Sequence, residues 1–147
     1  MSAGRQKASV PTVDELRATM EALGTWEDRF SYIIDVGKRL PELGEDERVE
    51  ANLVRGCQAR VWMVLGADGG CLRVRAASDS QLVNGLIGVL VSIYDGVSIE
   101  GVGSIDAEGF VRELGFEEHL TSVRRNGLHA MIGRIRSVAG DGGVVRA

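Results

Sequence analysis

Val13, Leu16, Met20 and Leu23 recur at steps of three and four residues behind Thr12, so residues 13–23 predict an amphipathic helix capped by Thr12 and ended at Gly24. Thr25 with Asp28 three residues on has the spacing of a capping box. Trp26, Phe30, Ile33, Ile34 and Val36 then supply the apolar face of a second helix, which Gly37 and Pro41 stop. From Cys57 the period changes to two: Val61, Met63 and Leu65 alternate with Trp62 and Val64, and beyond Ala67-Asp68-Gly69-Gly70 the residues Leu72, Val74 and Ala76 alternate with Arg73 and Arg75. This is the pattern of an antiparallel hairpin with one solvated face. Ser78-Asp79-Ser80 offers caps for an almost wholly apolar helix running from Leu82 to Tyr94, which has to be the buried centre. Gly85 and Gly88 inside it each cost about 1 kcal/mol of helix propensity, which points to a neighbour packed close against them. Short segments follow at 98–101 and 106–114, and Leu128, Met131, Ile132, Ile135 and Val138 stripe a last helix beginning near Val123.

These elements predict an α+β fold, a small antiparallel sheet flanked by helices, in one domain over residues 12–140 between flexible tails at 1–11 and 141–147. The 147 residues, 44% hydrophobic and 26% charged, suit a single core. The longest apolar run, Leu86 to Tyr94, is short of a membrane span, and no hydrophobic block follows Arg5 and Lys7, so a cytoplasmic protein is expected. A net charge of −4 speaks against nucleic acid. The sign is uneven, with Glu42, Glu45, Asp46, Glu47 and Glu50 followed by Arg55 and Arg60. His119 and His129 match no zinc spacing, so no metal site is expected. Walker, dinucleotide and G-x-S-x-G motifs are absent from the sequence.

Cys57 remains. It follows Gly56 where an irregular segment enters a strand, a place where a thiol can be presented on a loop, and Arg55 and Arg60 are positive neighbours in sequence that would favour the thiolate. The residues alone leave two readings open: a nucleophile, or a small hydrophobe at a strand start. A hairpin turn centred on Asp68 would pair residues whose numbers sum to about 136, placing Cys57 opposite Asp79 and Cys71 opposite Leu65, too far apart for a disulfide. Asp79 is then either a helix cap or a neighbour of the sulfur.

The run Asn52-Leu53-Val54-Arg55-Gly56-Cys57-Gln58-Ala59-Arg60-Val61-Trp62 resembles the signature of the SufE family, the sulfur acceptors of cysteine desulfurases. The resemblance extends from Trp26 through Tyr32-Ile33-Ile34, Leu40-Pro41, Ser78-Asp79-Ser80, Val83-Asn84-Gly85-Leu86 and Tyr94 to the stretch from His119 to Leu128. It implies a fold shared with IscU-type scaffolds and a Cys57 that accepts sulfane sulfur as a persulfide, with Arg55, Gly56, Gln58 and Asp79 in support. The implied partner is a SufS-type cysteine desulfurase, which Arg60 and Arg124 are candidates to contact and which carries the pyridoxal phosphate; this chain is expected to need no cofactor. The sulfur would pass on to SufBCD-type machinery. The role implied is that of a carrier and desulfurase activator rather than a stand-alone enzyme. The alternatives are a thiol redox protein and an interaction module with an inert Cys57. Two positions depart from the family pattern: Ser122 stands where proline is common and Ala59 where serine is usual.

Overall fold

The hairpin sits where two consecutive glycines let the chain reverse. The computed structural model describes residues 9–140 and 145–146. In it β1 (Val61–Asp68) and β2 (Cys71–Ser78) are antiparallel, joined by Gly69 and Gly70 alone, with φ of 61° and 82°. Positive φ at both central residues is the two-residue turn whose twist matches that of the strands. The register runs from Val61 opposite Ser78 to Asp68 opposite Cys71, so paired numbers sum to 139 and not the 136 expected from a turn at Asp68. Side-chain alternation explains the difference. A sum of 136 would set Arg73 opposite Met63 and Arg75 opposite Val61, on the face that the core needs, whereas the observed register puts Leu72, Val74 and Ala76 there with Val61, Met63, Leu65 and Ala67. Cys71 therefore faces Asp68 and not Leu65, and Asp79 falls across from Arg60, whose carbonyl accepts its N–H at 3.4 Å.

β1 is the central strand. On its far side Leu53 bridges Trp62 near one end, and β3 (Val145–Arg146) pairs in parallel with Gly66 and Ala67 near the other, giving the order β2-β1-β3. Part of the expected C-terminal tail is thus a strand; the rest, 141–144 and 147, lies outside the described residues, as do 1–8 of the N-terminal tail. Val10 packs on the core and Pro11 is buried, its carbonyl accepting from the Ser92 hydroxyl at 2.6 Å, so these two residues of the expected tail belong with the packed domain. The outer edge of β2 is closed as well. The Leu72 N–H donates to the Val97 carbonyl at 2.7 Å, Gly96 donates to Leu72, and the buried Asp95 carboxylate accepts from Val74 at 2.9 Å beside the Arg73 guanidinium at 3.3 Å.

Over the sheet's inner face lies α3 (Gln81–Tyr94), buried from Gly85 through Tyr94. Ser80, and not Asp79, caps it by accepting from Val83. Against α3 pack α1 (Val13–Ala22), with a complete capping box between Thr12 and Glu15, and α2 (Trp26–Gly37), where Thr25 makes its half of the expected box. The approach of α2 is close: a Cβ on Gly85 would lie 2.5 Å from the Ile33 carbonyl oxygen, and one on Gly88 2.6 Å from Val36 Cγ1. After a 3-10 segment (Ile99–Ser104) come α4 (Ala107–Glu113), α5 (Phe116–His119) and the long α6 (Ser122–Gly140). The Thr121 hydroxyl accepts from the Arg124 N–H at 3.3 Å, so α6 is capped by Thr121 and Ser122 stands at its first helical position.

Because the neighbour of Gly85 is backbone, which cannot swing aside, Gly85→Ala is expected to destabilise the fold by about 1–3 kcal/mol in urea titration, despite alanine's better helix propensity.

Candidate functional site

Val54 and Val61 form the base of a short loop, the Val54 N–H donating to the Val61 carbonyl at 2.9 Å. Both side chains are buried, while Arg55, Gly56, Gln58 and Arg60 between them are exposed and Cys57 is half-buried. The strand begins at Val61, four residues later than the alternation suggests, because the chain from Val54 to Val61 doubles back over α6 instead of extending the hairpin. Gly56, at φ 91°, makes the reversal that turns the thiol inward. A side chain there would also meet the Ala130 methyl at 3.2 Å.

The thiol points at α6. Its S–H donates to the Gly127 carbonyl at 3.5 Å, and Gly127 leaves the space: a Cβ there would stand 3.7 Å from Sγ. Beside the sulfur is a cavity of about 10 Å³, room for about one water-sized atom, enclosed by Val61, Val83, Leu86, Leu128 and Met131 and rimmed by Gln58, Ala59 and Arg124. The burial pushes the Cys57 thiol up from its ordinary pKa. A carbonyl acceptor, which can bind S–H but only repels S⁻, fits the same protonation state.

This differs from the expectation of a thiolate held by Arg55 and Arg60. Arg55 pairs with Glu50 at 3.7 Å out in solvent, and Arg60 is exposed. Asp79 is exposed opposite Arg60, since the register that would have brought it to the sulfur does not form. Of the sequence-predicted residues, Arg55, Gly56, Gln58 and Arg60 share the loop with Cys57, while Gln58 and Arg124 line its cavity. The acidic run at 42–50 is partly consumed: Glu47 binds Arg75 at 2.5 Å on the outer face of the sheet, which lowers the Glu47 pKa, and Glu50 holds Arg55. Cys71 lies beyond the length of β1, roughly 23 Å away at about 3.3 Å per residue, so the two cysteines cannot bridge. The histidines go elsewhere, His119 stacked on Trp26 with centroids 3.9 Å apart and His129 between Glu108 and Glu117 at 3.9 and 3.7 Å. Among the described residues no group of three or more His, Cys, Asp or Glu could hold a metal.

Sequence reasoning missed Gly127, Ala130 and Arg134 as parts of the site. Arg134 donates to the carbonyls of Leu53 at 3.2 Å and Ala51 at 3.5 Å, on the approach to the loop. Their spacing of three and four along the last helix is visible in the sequence, but nothing local says that the Cys57 loop lies on that face.

Since the folded thiol is raised, it is expected to alkylate in native protein with a midpoint above the ordinary value of about 8.5, falling back to it in urea. The thiol's contribution to stability is then fully present below about pH 8.5 and is lost as pH rises through the folded value, a decline that Cys57→Ala removes. A native midpoint at or below the ordinary thiol value would contradict this account.

Comparisons with known proteins agree on one lineage. The profile of the SufE family, described as an Fe-S metabolism associated domain, matches residues 14–139. An uncharacterised SufE-like protein of Rhizobium meliloti is 38% identical over 132 residues, covering 87% of this chain and 94% of its own, and one of Rhizobium etli is 33% identical over 138 residues, covering 91% and 93%. A hypothetical protein of Thermus thermophilus, solved in solution, superposes with a TM-score of 0.73 at 24% identity over 90% of this chain and 96% of that one, a likeness of fold. With a cysteine-bearing loop seated on α6 and a family match along most of its length, the chain belongs to the SufE family, whose domain is associated with Fe–S metabolism.

Proposed function

We propose that the protein takes sulfane sulfur from a SufS-type cysteine desulfurase onto Cys57, stimulates that enzyme by clearing its persulfide, and relays the sulfur in the cytoplasm to a SufBCD-type assembly complex. The observation that carries this reading is the thiol on a loop tip, turned onto a small apolar cavity with room for one more atom. The pyridoxal phosphate belongs to the desulfurase, and the carrier works with its own thiol alone.

In the transfer, the Cys57 thiol gives its proton to solvent or to a group on the donor, and the thiolate attacks the outer sulfur of the donor persulfide. A bond forms between Cys57 Sγ and that sulfur, the donor's S–S bond breaks, and the donor cysteine leaves as thiolate; no net oxidation or reduction occurs. The loop as it stands opposes the first step, because a half-buried thiol bonded to a carbonyl is held neutral and partly shielded. Opening removes both obstacles, exposing the sulfur and restoring its solvation. Closing afterwards puts the terminal sulfur among Val83, Leu86 and Met131, away from reductants. Arg124 at the rim is placed to steer an anionic donor sulfur inward. An internal redox pair is disfavoured by the separation of Cys57 from Cys71.

Incubation with the desulfurase and cysteine is expected to add a mass of about 32 Da, one sulfur exchanged onto a thiol, to wild type and to Cys71→Ser but not to Cys57→Ser, as read by intact mass spectrometry. Uptake by Cys57→Ser at the wild-type level would overturn the proposal.

A further inference from the structure

Gly127, Ala130 and Arg134 share one face of α6; the first two face the Cys57 loop and Arg134 meets the segment that leads into it. Gly127 offers its carbonyl to the sulfur, and the Ala130 methyl occupies the space beside Gly56 into which a side chain there would project. Arg134, one turn further along, sends one guanidinium nitrogen to the Leu53 carbonyl at 3.2 Å and the other to that of Ala51 at 3.5 Å. Gly127 and Ala130 provide contact but little grip, since an S–H donor is weak and a methyl contact is non-directional. The two guanidinium bonds are charge-assisted and directional, and no carboxylate competes for Arg134 among the described residues. Backbone ties from Leu53 to Trp62 and from Val54 to Val61 hold the loop's base, but most of its own residues are exposed and contribute little burial, so a side-chain tether at its entry adds to its hold on α6.

From this arrangement we infer that Arg134 is a positioning residue for sulfur transfer: it latches the segment leading into the Cys57 loop onto α6 and thereby sets how often the thiol is presented. The consequence for transfer rests on the reading of Cys57 as sulfur acceptor; the latch itself does not. The fork of two donors fits two carbonyls on alternate residues, which a lysine ammonium reaches less completely. Once released, the Ala51 carbonyl sits on an exposed residue and the Leu53 carbonyl on a half-buried one, so water replaces the guanidinium readily. Losing the arginine therefore shifts the loop equilibrium rather than unfolding the domain.

The test is iodoacetamide alkylation of the full chain under native conditions at fixed pH, read by peptide mass, with Cys71 as internal reference. Arg134→Gln is expected to raise the Cys57 rate about tenfold, equal to about 1.4 kcal/mol in the open-to-closed ratio, with Cys71 unchanged and Arg134→Lys in between. A Cys57 rate within twofold of wild type, or an equal rise at Cys71, would overturn the latch. In desulfurase assays the same variant is expected to lower the half-saturating donor concentration with little change in maximal rate, because a pre-opened loop no longer reduces the competent fraction. Alkylation involves no sulfur donor. Failure of sulfur uptake by wild type with the labelling contrast intact would thus remove the acceptor role and leave the latch, whereas normal uptake without the contrast would remove only the latch.

Discussion

A fourteen-residue helix with scarcely a polar side must be covered all round, and α3 imposes that requirement on every other element. The hairpin covers one side with the alternating apolar face of β1 and β2. α2 covers another, and it can lie close enough only because Gly85 and Gly88 carry no side chain where Ile33 and Val36 press in. α6 brings Leu128, Met131, Ile132 and Ile135 to the same core. Near the N-terminal end of α3, at Val83 and Leu86, the cover from β1 and α6 leaves a small gap, and the acceptor loop closes it with Cys57. The site is thus a seam in the packing of the central helix, finished by a loop and not by a regular element.

A seam closed by a loop accounts for the two opposed demands on the sulfur. Held against Gly127 beside apolar side chains, the half-buried thiol is biased toward its protonated form, which would suit storage of a labile sulfur in the proposed transfer. Reaction needs the opposite, an exposed thiolate in line with a donor. Val54 and Val61 are joined at the loop's base by a backbone hydrogen bond and both are buried, so an opening of the residues between them, as the proposed transfer requires, would leave the core in place. In the proposed transfer, activation would then be a matter of loop position, since the cations nearest in sequence, Arg55 and Arg60, take no part in setting the thiol's pKa here.

The elements were largely readable along the chain because each carries its own period and punctuation: Thr12 and Thr25 at helix starts, Gly69 and Gly70 at the turn, the apolar run through α3, and Gly115 at φ 92° after α4. The hairpin register was readable too, although not from the position of Asp68. The alternation that keeps Arg73 and Arg75 out of the core requires an odd sum, and the turn through Gly69 and Gly70 sets it at 139 and with it the place of Asp79. Ser80 rather than Asp79 caps α3, a choice the sequence leaves open because Ser78, Asp79 and Ser80 are all good capping residues.

By itself, then, the sequence determined the α+β arrangement, the buried status of α3 and the candidacy of Cys57, because these follow from local periodicity, turn chemistry and a signature around one cysteine. Only the tertiary structure decided what surrounds that cysteine. Seventy residues separate Cys57 from Gly127 and eighty-one separate Leu53 from Arg134, and contacts at such separation depend on how helices and sheet close around a shared core. The thiol's charge state follows from that closure, since burial against a distant helix outweighs the two arginines beside it in the chain.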